Sequence, residues 1–185
     1  MDPDAQQRFP PLHVQLRGNK GTVCIRPLRT DDAERLGDFY ESVPRKDFRF
    51  YAPHVLDREH AEANAAKADS PLEVVLVAET PQATIAGYAW YRWRQPDAPS
   101  SGFGICVRVT HQDSGLGRAL MERLATVARE IGPPVMHLTV QLANPRAVNL
   151  YQKMGFRVVK EGERRASHGF ASEPEYHMER ATRPV

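Results

Sequence analysis

Apolar positions recur along this chain with two periods, and the change from one to the other marks out its elements. Thr22-Val23-Cys24-Ile25-Arg26 is β-branched and alternating, which predicts a strand. Thr30 reads as the N-cap of a following helix, with Asp31 and Asp32 near its positive end. Leu36, Phe39, Tyr40 and Val43 give that helix an apolar stripe until Pro44 closes it. Asp57–Asp69, rich in Ala and Glu with a thin apolar face, predicts a second helix. Val74–Glu79 is a short β run, Thr80-Pro81-Gln82 a turn, and Thr84–Arg94 a long second strand. After the loop Gln95–Ser101, Gly102–Thr110 is a further strand that runs into the polar loop His111–Gly117.

The second half has a sharper pattern. Leu116, Leu120, Leu124, Val127 and Ile131 recur at steps of three and four, the signature of a helix with one buried face. Gly132-Pro133-Pro134 ends it, and Val135–Leu142 is the next strand. Asn144-Pro145 opens another helix, with Asn as cap and Pro in the first turn. Its inner face is Val148, Tyr151 and Met154, and Gly155 stands where a left-handed residue belongs. Phe156–Lys160 and Glu175–Glu179 finish as strands. The first twenty residues are polar and contain proline, so 1–20 is expected to be a flexible leader holding at most a short strand. Residues 21–185 then form one domain of mixed α/β class.

Composition narrows the function. The chain has 185 residues, enough for one well-filled core. Its net charge is +2, which leaves no footprint for wrapping nucleic acid or coating an anionic membrane. The mean hydropathy is −0.53, and no apolar run approaches the length of a membrane span. With no apolar segment in residues 1–20, no secretory signal is expected, and the expected location is cytoplasmic. Cys24 and Cys106 make neither a disulfide framework nor a metal cluster, so no metal site is expected.

The chemistry concentrates in Val107-Arg108-Val109-Thr110-His111-Gln112-Asp113-Ser114-Gly115-Leu116-Gly117-Arg118, where a strand passes through a short loop into a helix. Free N–H groups and the helix dipole at such a start form a nest for phosphate or diphosphate. Gly115 and Gly117 let an oxyanion approach the backbone, and Arg118 can add a charge-assisted bond. A Gly-x-Gly at a helix start is also a plain tight turn, and this one is neither a P-loop nor a dinucleotide fingerprint.

A second block adds weight. Gln112-x-x-Gly115-x-Gly117 resembles the Arg/Gln-x-x-Gly-x-Gly/Ala loop of the GCN5-related N-acetyltransferase (GNAT) superfamily. Asn144, Ala147, Leu150, Tyr151, Gly155 and Phe156 match that family's Asn-x-x-Ala-x-x-Leu-Tyr-x-x-x-Gly-Phe helix, and Tyr176–Glu179 is similar to its last strand. The resemblance covers roughly residues 22–180. It implies a mainly antiparallel sheet, flanked by helices and splayed between its fourth and fifth strands after a bulge. It also implies acetyl-CoA as co-substrate, with the diphosphate on the backbone amides of Gln112, Asp113, Ser114, Gly115, Leu116 and Gly117, and on Arg118. Val107 and Val109, with Arg108 between them, would bond the pantetheine arm as an added strand. Asn144 would reach the same arm, cap its helix, or do both; Asn149 either faces the cofactor or is a solvated helix position.

The implied reaction is acyl transfer. A neutral primary amine attacks the thioester, the amide near Val107 holds the oxyanion, and Tyr151 protonates the departing sulfur. Tyr151 also reads as a core aromatic. The family's usual base position falls near Ser101 or Gly102, so the base is left among Glu79, His54, His111 and a water relay. The acceptor region is Pro44–His54, with Phe48, Phe50, Tyr51 and His54. To it the long strand would add one of two aromatic pairs, Tyr88 and Trp90 or Tyr91 and Trp93. Ile25–Arg29 followed by Phe48–Pro53 is also similar to bacterial protein-lysine acetyltransferase domains, which makes a protein lysine an acceptor alongside small-molecule amines. Dimers are common in that family, so the resemblance allows a homodimer, while the residues themselves leave the oligomeric state open. The rival readings are a non-catalytic acyl-CoA binder and a transferase for another acyl-CoA or an oxygen nucleophile.

Overall fold

The computed structural model describes residues 9–51, 54–167 and 169–183. Eight strands make one sheet: β1 (Leu12–Gln15), β2 (Thr22–Pro27), β3 (Glu73–Glu79), β4 (Ile85–Arg92), β5 (Ser100–Val107), β6 (Val135–Gln141), β7 (Arg157–Arg164) and β8 (Glu173–Ala181). Their order is β1-β2-β3-β4-β5-β6-β8-β7. Every neighbour is antiparallel except β5 and β6, which run parallel. Four α-helices flank the sheet: α1 (Ala33–Glu41), α2 (Arg58–Ala65), α3 (Leu116–Ile131) and α4 (Pro145–Lys153).

The helices divide between two cores. Leu116, Leu120, Leu124 and Val127 of α3 are fully buried against Val74, Leu76, Ala89 and Tyr91 on one face of the sheet. Each such leucine contributes roughly 1.5–3 kcal/mol relative to exposure. Leu36, Phe39 and Tyr40 of α1 pack on the other face, against Val75, Val77 and Tyr88. Gly87 is where α3 comes closest to the sheet: a Cβ there would meet Leu120 Cδ1 at 2.8 Å.

The sheet forks where expected. Pairing of β5 with β6 covers Ser100↔Val135, Ser101↔Met136 and Gly102↔His137 and then stops, so both strands continue with open facing edges. These are the fourth and fifth strands when counting starts at β2. The expected bulge is missing, because the β4–β5 register runs unbroken from Arg92↔Gly102 to Gly87↔Val107. At the fork the rings of Phe103, Tyr151 and Phe156 pack on one another, with Phe103 and Tyr151 edge-on at 5.6 Å.

Two expectations change. Residues 1–8 lie outside the described residues, but the remainder of the expected leader is built in. Phe9 and Leu16 are buried in the larger core, and β1 pairs with β2. The first helix starts at Ala33, after a 3-10 turn over Thr30–Asp32. Thr30 lies inside that turn rather than at the cap; the cap position is Asp32, whose oxygens take Arg26 at 2.7 and 2.8 Å and the Arg29 N–H at 2.8 Å instead of a helix amide.

Candidate active site

A cavity of about 760 Å³ occupies the fork. Ile105, Cys106 and Val107 of β5 form one wall, Thr139 and Val140 of β6 another, and α4 closes it from Asn144 to Met154. The Arg108 N–H donates to Ala86 O at 2.9 Å, on the β4 side. Alternation along an extended strand therefore turns the flanking Val107 amide toward the open edge. On that edge Gln112 Nε2 donates to Val107 O at 3.2 Å.

The loop beyond β5 first makes a 3-10 turn over Val109–His111. Asp113 and Gly115 then adopt φ of 59° and 90°, the left-handed region in which a side chain is strained and glycine is not. That reversal aims successive amides outward. Among the described residues, the N–H groups of Asp113, Ser114, Gly115, Gly117 and Arg118 donate to no protein acceptor. The dipole of the sixteen-residue α3 adds to the positive potential there. Gly117 is informative because packing does not require it: a Cβ would meet only Leu150 Cδ2 at 3.7 Å and Val107 Cγ2 at 3.8 Å. The space it leaves belongs to the cavity.

Several of the expected phosphate contacts do not hold as stated. The Gln112 N–H already donates to Val109 O at 3.2 Å, and Leu116 N points at Ser114 Oγ at 3.4 Å. Leu116 itself is a core residue. The guanidinium of Arg108 turns back, its Nε donating to Ile85 O at 3.1 Å and its plane lying over Phe39, so Arg108 offers only backbone to the fork. Val109, in the 3-10 turn, no longer continues the strand. Arg118 is exposed and holds Glu122 at 2.8 Å.

Tyr151 lines the cavity from α4. Its hydroxyl has no hydrogen-bond partner among the described residues, yet it is not sealed away as the unpartnered Tyr88 hydroxyl is. Burial, with a smaller contribution from Cys106, pushes its pKa up, so the phenol keeps its proton through the physiological range. Burial likewise pushes the Cys106 thiol up to about 12. Asn144 does cap α4, Oδ1 accepting from Ala147 N at 3.2 Å, while its Nδ2 is left over at the cavity wall. Asn149 lies on the same wall and is exposed.

None of the three side chains considered for the base stands beside Tyr151. Glu79 sits on β3, held by Arg26 and Arg35 and kept below the ordinary carboxylate range by its bond from Arg26. His54 accepts Asn64 at 3.0 Å, stacks on His60 and is not among the residues that line the cavity. His111 does line the cavity, but at the loop, next to the unpartnered amides. Neither aromatic pair of β4 lines it. Tyr88 is buried with Tyr40, and Tyr91 donates to Pro133 O. Of the acceptor region, Pro44, Asp47, Phe50 and Tyr51 do, and Trp90 Nε1 braces the Tyr51 hydroxyl at 3.1 Å. Ala52 and Pro53, part of the lysine-acetyltransferase-like segment, lie outside the described residues.

Three contributors escape the sequence pattern. Arg17 comes from the β1–β2 hairpin, which is tied to the loop by Arg17 N donating to Ser114 O at 3.0 Å. Its guanidinium lies 3.3 Å from where a Gly115 Cβ would stand. Arg146 of α4 bonds Gln112 Oε1 at 2.9 Å and Asp113 at 3.1 Å, bolting the loop to the second block. Asp47, on a 3-10 turn over Arg45–Arg49, reaches the opposite end of the cavity. No local motif announces any of these, since each depends on a tertiary contact.

With this geometry in place, comparison decides the family. The profile of the acetyltransferase (GNAT) family matches residues 36–156. The chain belongs to the GNAT family. This GNAT protein is 32% identical over 87 residues to mycothiol acetyltransferase of Propionibacterium freudenreichii subsp. shermanii, covering 46% of its own length and 28% of that protein's. It is 36% identical over 87 residues to the L-amino acid N-acyltransferase MnaT of Escherichia coli K12, covering 45% and 50%. It thus spans half or less of the length of these curated relatives. The GNAT domain of S. lividans PAT superposes with TM-score 0.74 at 25% identity over 92% of this chain and 96% of that one. The yncA protein of Salmonella typhimurium, solved with its cofactor acetyl-CoA, shares the fold with TM-score 0.72 at 23% identity, over 88% and 95%.

Proposed function

We propose that this GNAT protein transfers an acetyl group from acetyl-CoA to a primary amine. One observation carries the reading: Asp113, Gly115, Gly117 and Arg118, whose amides are unpartnered, the open strand edge at Val107 and the Tyr151 phenol all line a single cavity. The amides of Asp113, Ser114, Gly115, Gly117 and Arg118 would hold the diphosphate, and the space at Gly117 suits an oxyanion close to the backbone. The β5 edge at Val107 would take the extended arm as an added strand.

Acetyl-CoA supplies an activated acyl carbon. The residues of the chain orient it and manage two protons. The Val107 amide, on the open edge, stabilises negative charge on the acyl oxygen as the amine attacks. An N–C bond forms and the C–S bond breaks; the Tyr151 hydroxyl delivers its proton to sulfur, and the proton lost by nitrogen returns through water to the phenolate, so coenzyme A leaves as the thiol. A phenol raised by burial is suited to that task because it never enters the reaction ionised near neutral pH.

Isothermal titration with acetyl-CoA, followed by thiol release with a panel of amines, tests the reading. Tight binding with acetylated product supports it. Binding without transfer to any amine would instead mark an acyl-CoA binder. Preference for a longer chain among competing acyl-CoAs would correct the donor.

A further inference from the structure

The cavity walls carry charge in two separate places. At the loop end stand Arg17, Arg118 and Arg146, matched to an anionic donor. Away from the loop the charged side chains on the wall are Asp47, half-buried beside Phe50, Tyr51 and Cys106, and Lys153, exposed at the end of α4. Asp113 is the other carboxylate on the wall, and it is 3.1 Å from Arg146. The Asp47 carboxylate accepts no hydrogen bond or ion pair from any described residue.

Its position is built. Asp47 N donates to Pro44 O at 2.8 Å, while Asp47 O accepts from Phe50 N at 2.8 Å and Tyr51 N at 3.1 Å. Arg49 pins the turn to β8 through an ion pair with Glu173, which offsets that guanidinium's charge. Arg45 and Lys46 are exposed and line no part of the cavity. A half-buried carboxylate next to the Tyr51 and Phe50 rings, the latter already holding the Arg49 guanidinium over one face at 4.8 Å, makes a cation site, since both the charge and a free ring face attract ammonium.

Resting on the acetyltransferase reading, we infer that Asp47 docks an ammonium of the acceptor, and that the acceptor is a small amine with two basic nitrogens. An ammonium paired to a carboxylate holds its proton more tightly, so it cannot be the nitrogen that attacks. The reacting nitrogen must be a second one, able to reach the fork near Val107 while the first stays on Asp47. An α-amino acid fits poorly, because its single nitrogen would be held protonated on Asp47, whatever its carboxylate found in Lys153, the exposed cation of the α4 wall.

The test compares diaminobutane, butylamine and L-methionine as acceptors for the wild type, Asp47→Asn and Asp47→Glu. The wild type is expected to favour diaminobutane in kcat/KM by about tenfold or more over butylamine, with methionine last. Asp47→Asn should raise KM for diaminobutane by about tenfold with little change in kcat, leave butylamine and acetyl-CoA affinity unchanged, and be partly rescued by Asp47→Glu. Calorimetric titration of diaminobutane into free and coenzyme-A-saturated protein reads the same contact without chemistry. Equal diamine affinity in wild type and Asp47→Asn, or a wild type that prefers methionine, overturns the inference. A wild type that fails to bind acetyl-CoA sinks the acetyltransferase reading instead, while the diamine titration still decides on Asp47.

Discussion

Two polar regions of this molecule are built to opposite rules. On the β2–β3 side, Arg26 is 3% exposed and is held by Asp32 and Glu79, with Arg35 reaching both carboxylates. Every charge there has a partner. In the fork, five loop amides, the Tyr151 hydroxyl and the Asp47 carboxylate have none among the described residues. Both regions are partly withdrawn from water, where an unmet polar group is costly. The first is finished by folding alone; the second is left open, as the proposed donor and acceptor sites require. Closed networks hold the scaffold, and open ones mark the work it does.

The sharpest way to break this contrast is Arg26→Ala, which strands Asp32 in the interior. A loss of about 3–5 kcal/mol in urea unfolding is expected, with acetyl-CoA affinity unchanged in whatever protein remains folded. Tyr151→Phe should do the reverse: a fall in kcat of about 10²–10⁴, no loss of acetyl-CoA affinity, and unfolding close to wild type. Gly117→Glu fills the vacancy in the loop and adds like charge. Its acetyl-CoA affinity should fall by about a hundredfold in calorimetry, while the ordinary contacts around that Cβ leave the melting temperature nearly unmoved. A variant that bound donor normally would show that the loop amides are not the cradle. Arg17→Ala removes one exposed cation from the same end, and about a tenfold loss is expected, shrinking as salt is raised.

The smallest effect separates the regions by pH. Burial opposes the Asp32 charge, but the bonds from Arg26 and the Arg29 amide outweigh it and leave its pKa below the usual range. Glu79 is likewise lowered, first by Arg26. Both groups therefore stabilise the fold fully above the unfolded value near about pH 4, and that contribution is lost as pH falls through their lower folded values. Unfolding free energies measured down that acid limb should show the loss, and Arg26→Ala should flatten it.

Much of this was legible in the sequence, and for identifiable reasons. Elements whose apolar residues follow one period, such as α3 and β3, begin and end within a residue or two of expectation. The loop glycines and the helix from Asn144 are local patterns, so they located the fork. What stayed hidden depends on contacts between distant segments. Arg17 lies in a segment of polar composition, yet Phe9 and Leu16 sink into the core and bring the hairpin over Gly115. Asp47 is one acid among many until the 3-10 turn sets it beside Cys106. The Arg108 side chain faced two chemically sensible destinations, and the Ile85 carbonyl with the Phe39 ring won over the loop. Glu79 looked available as a base because its two arginines are 53 and 44 residues away along the chain.

The hairpin of β1 and β2 sets a limit on how this chain can be trimmed. The span that carries the family signature, 36–156, leaves out β1, β2, β7 and β8, which are half the strands of one continuous sheet. A fragment cut to those borders would bare the edges of β3 and β6 and strip Glu79 of both its arginines, Arg26 and Arg35. The recognisable stretch is thus smaller than the cooperative unit. Any fusion, tag or minimal domain made from this protein must respect the second boundary rather than the first.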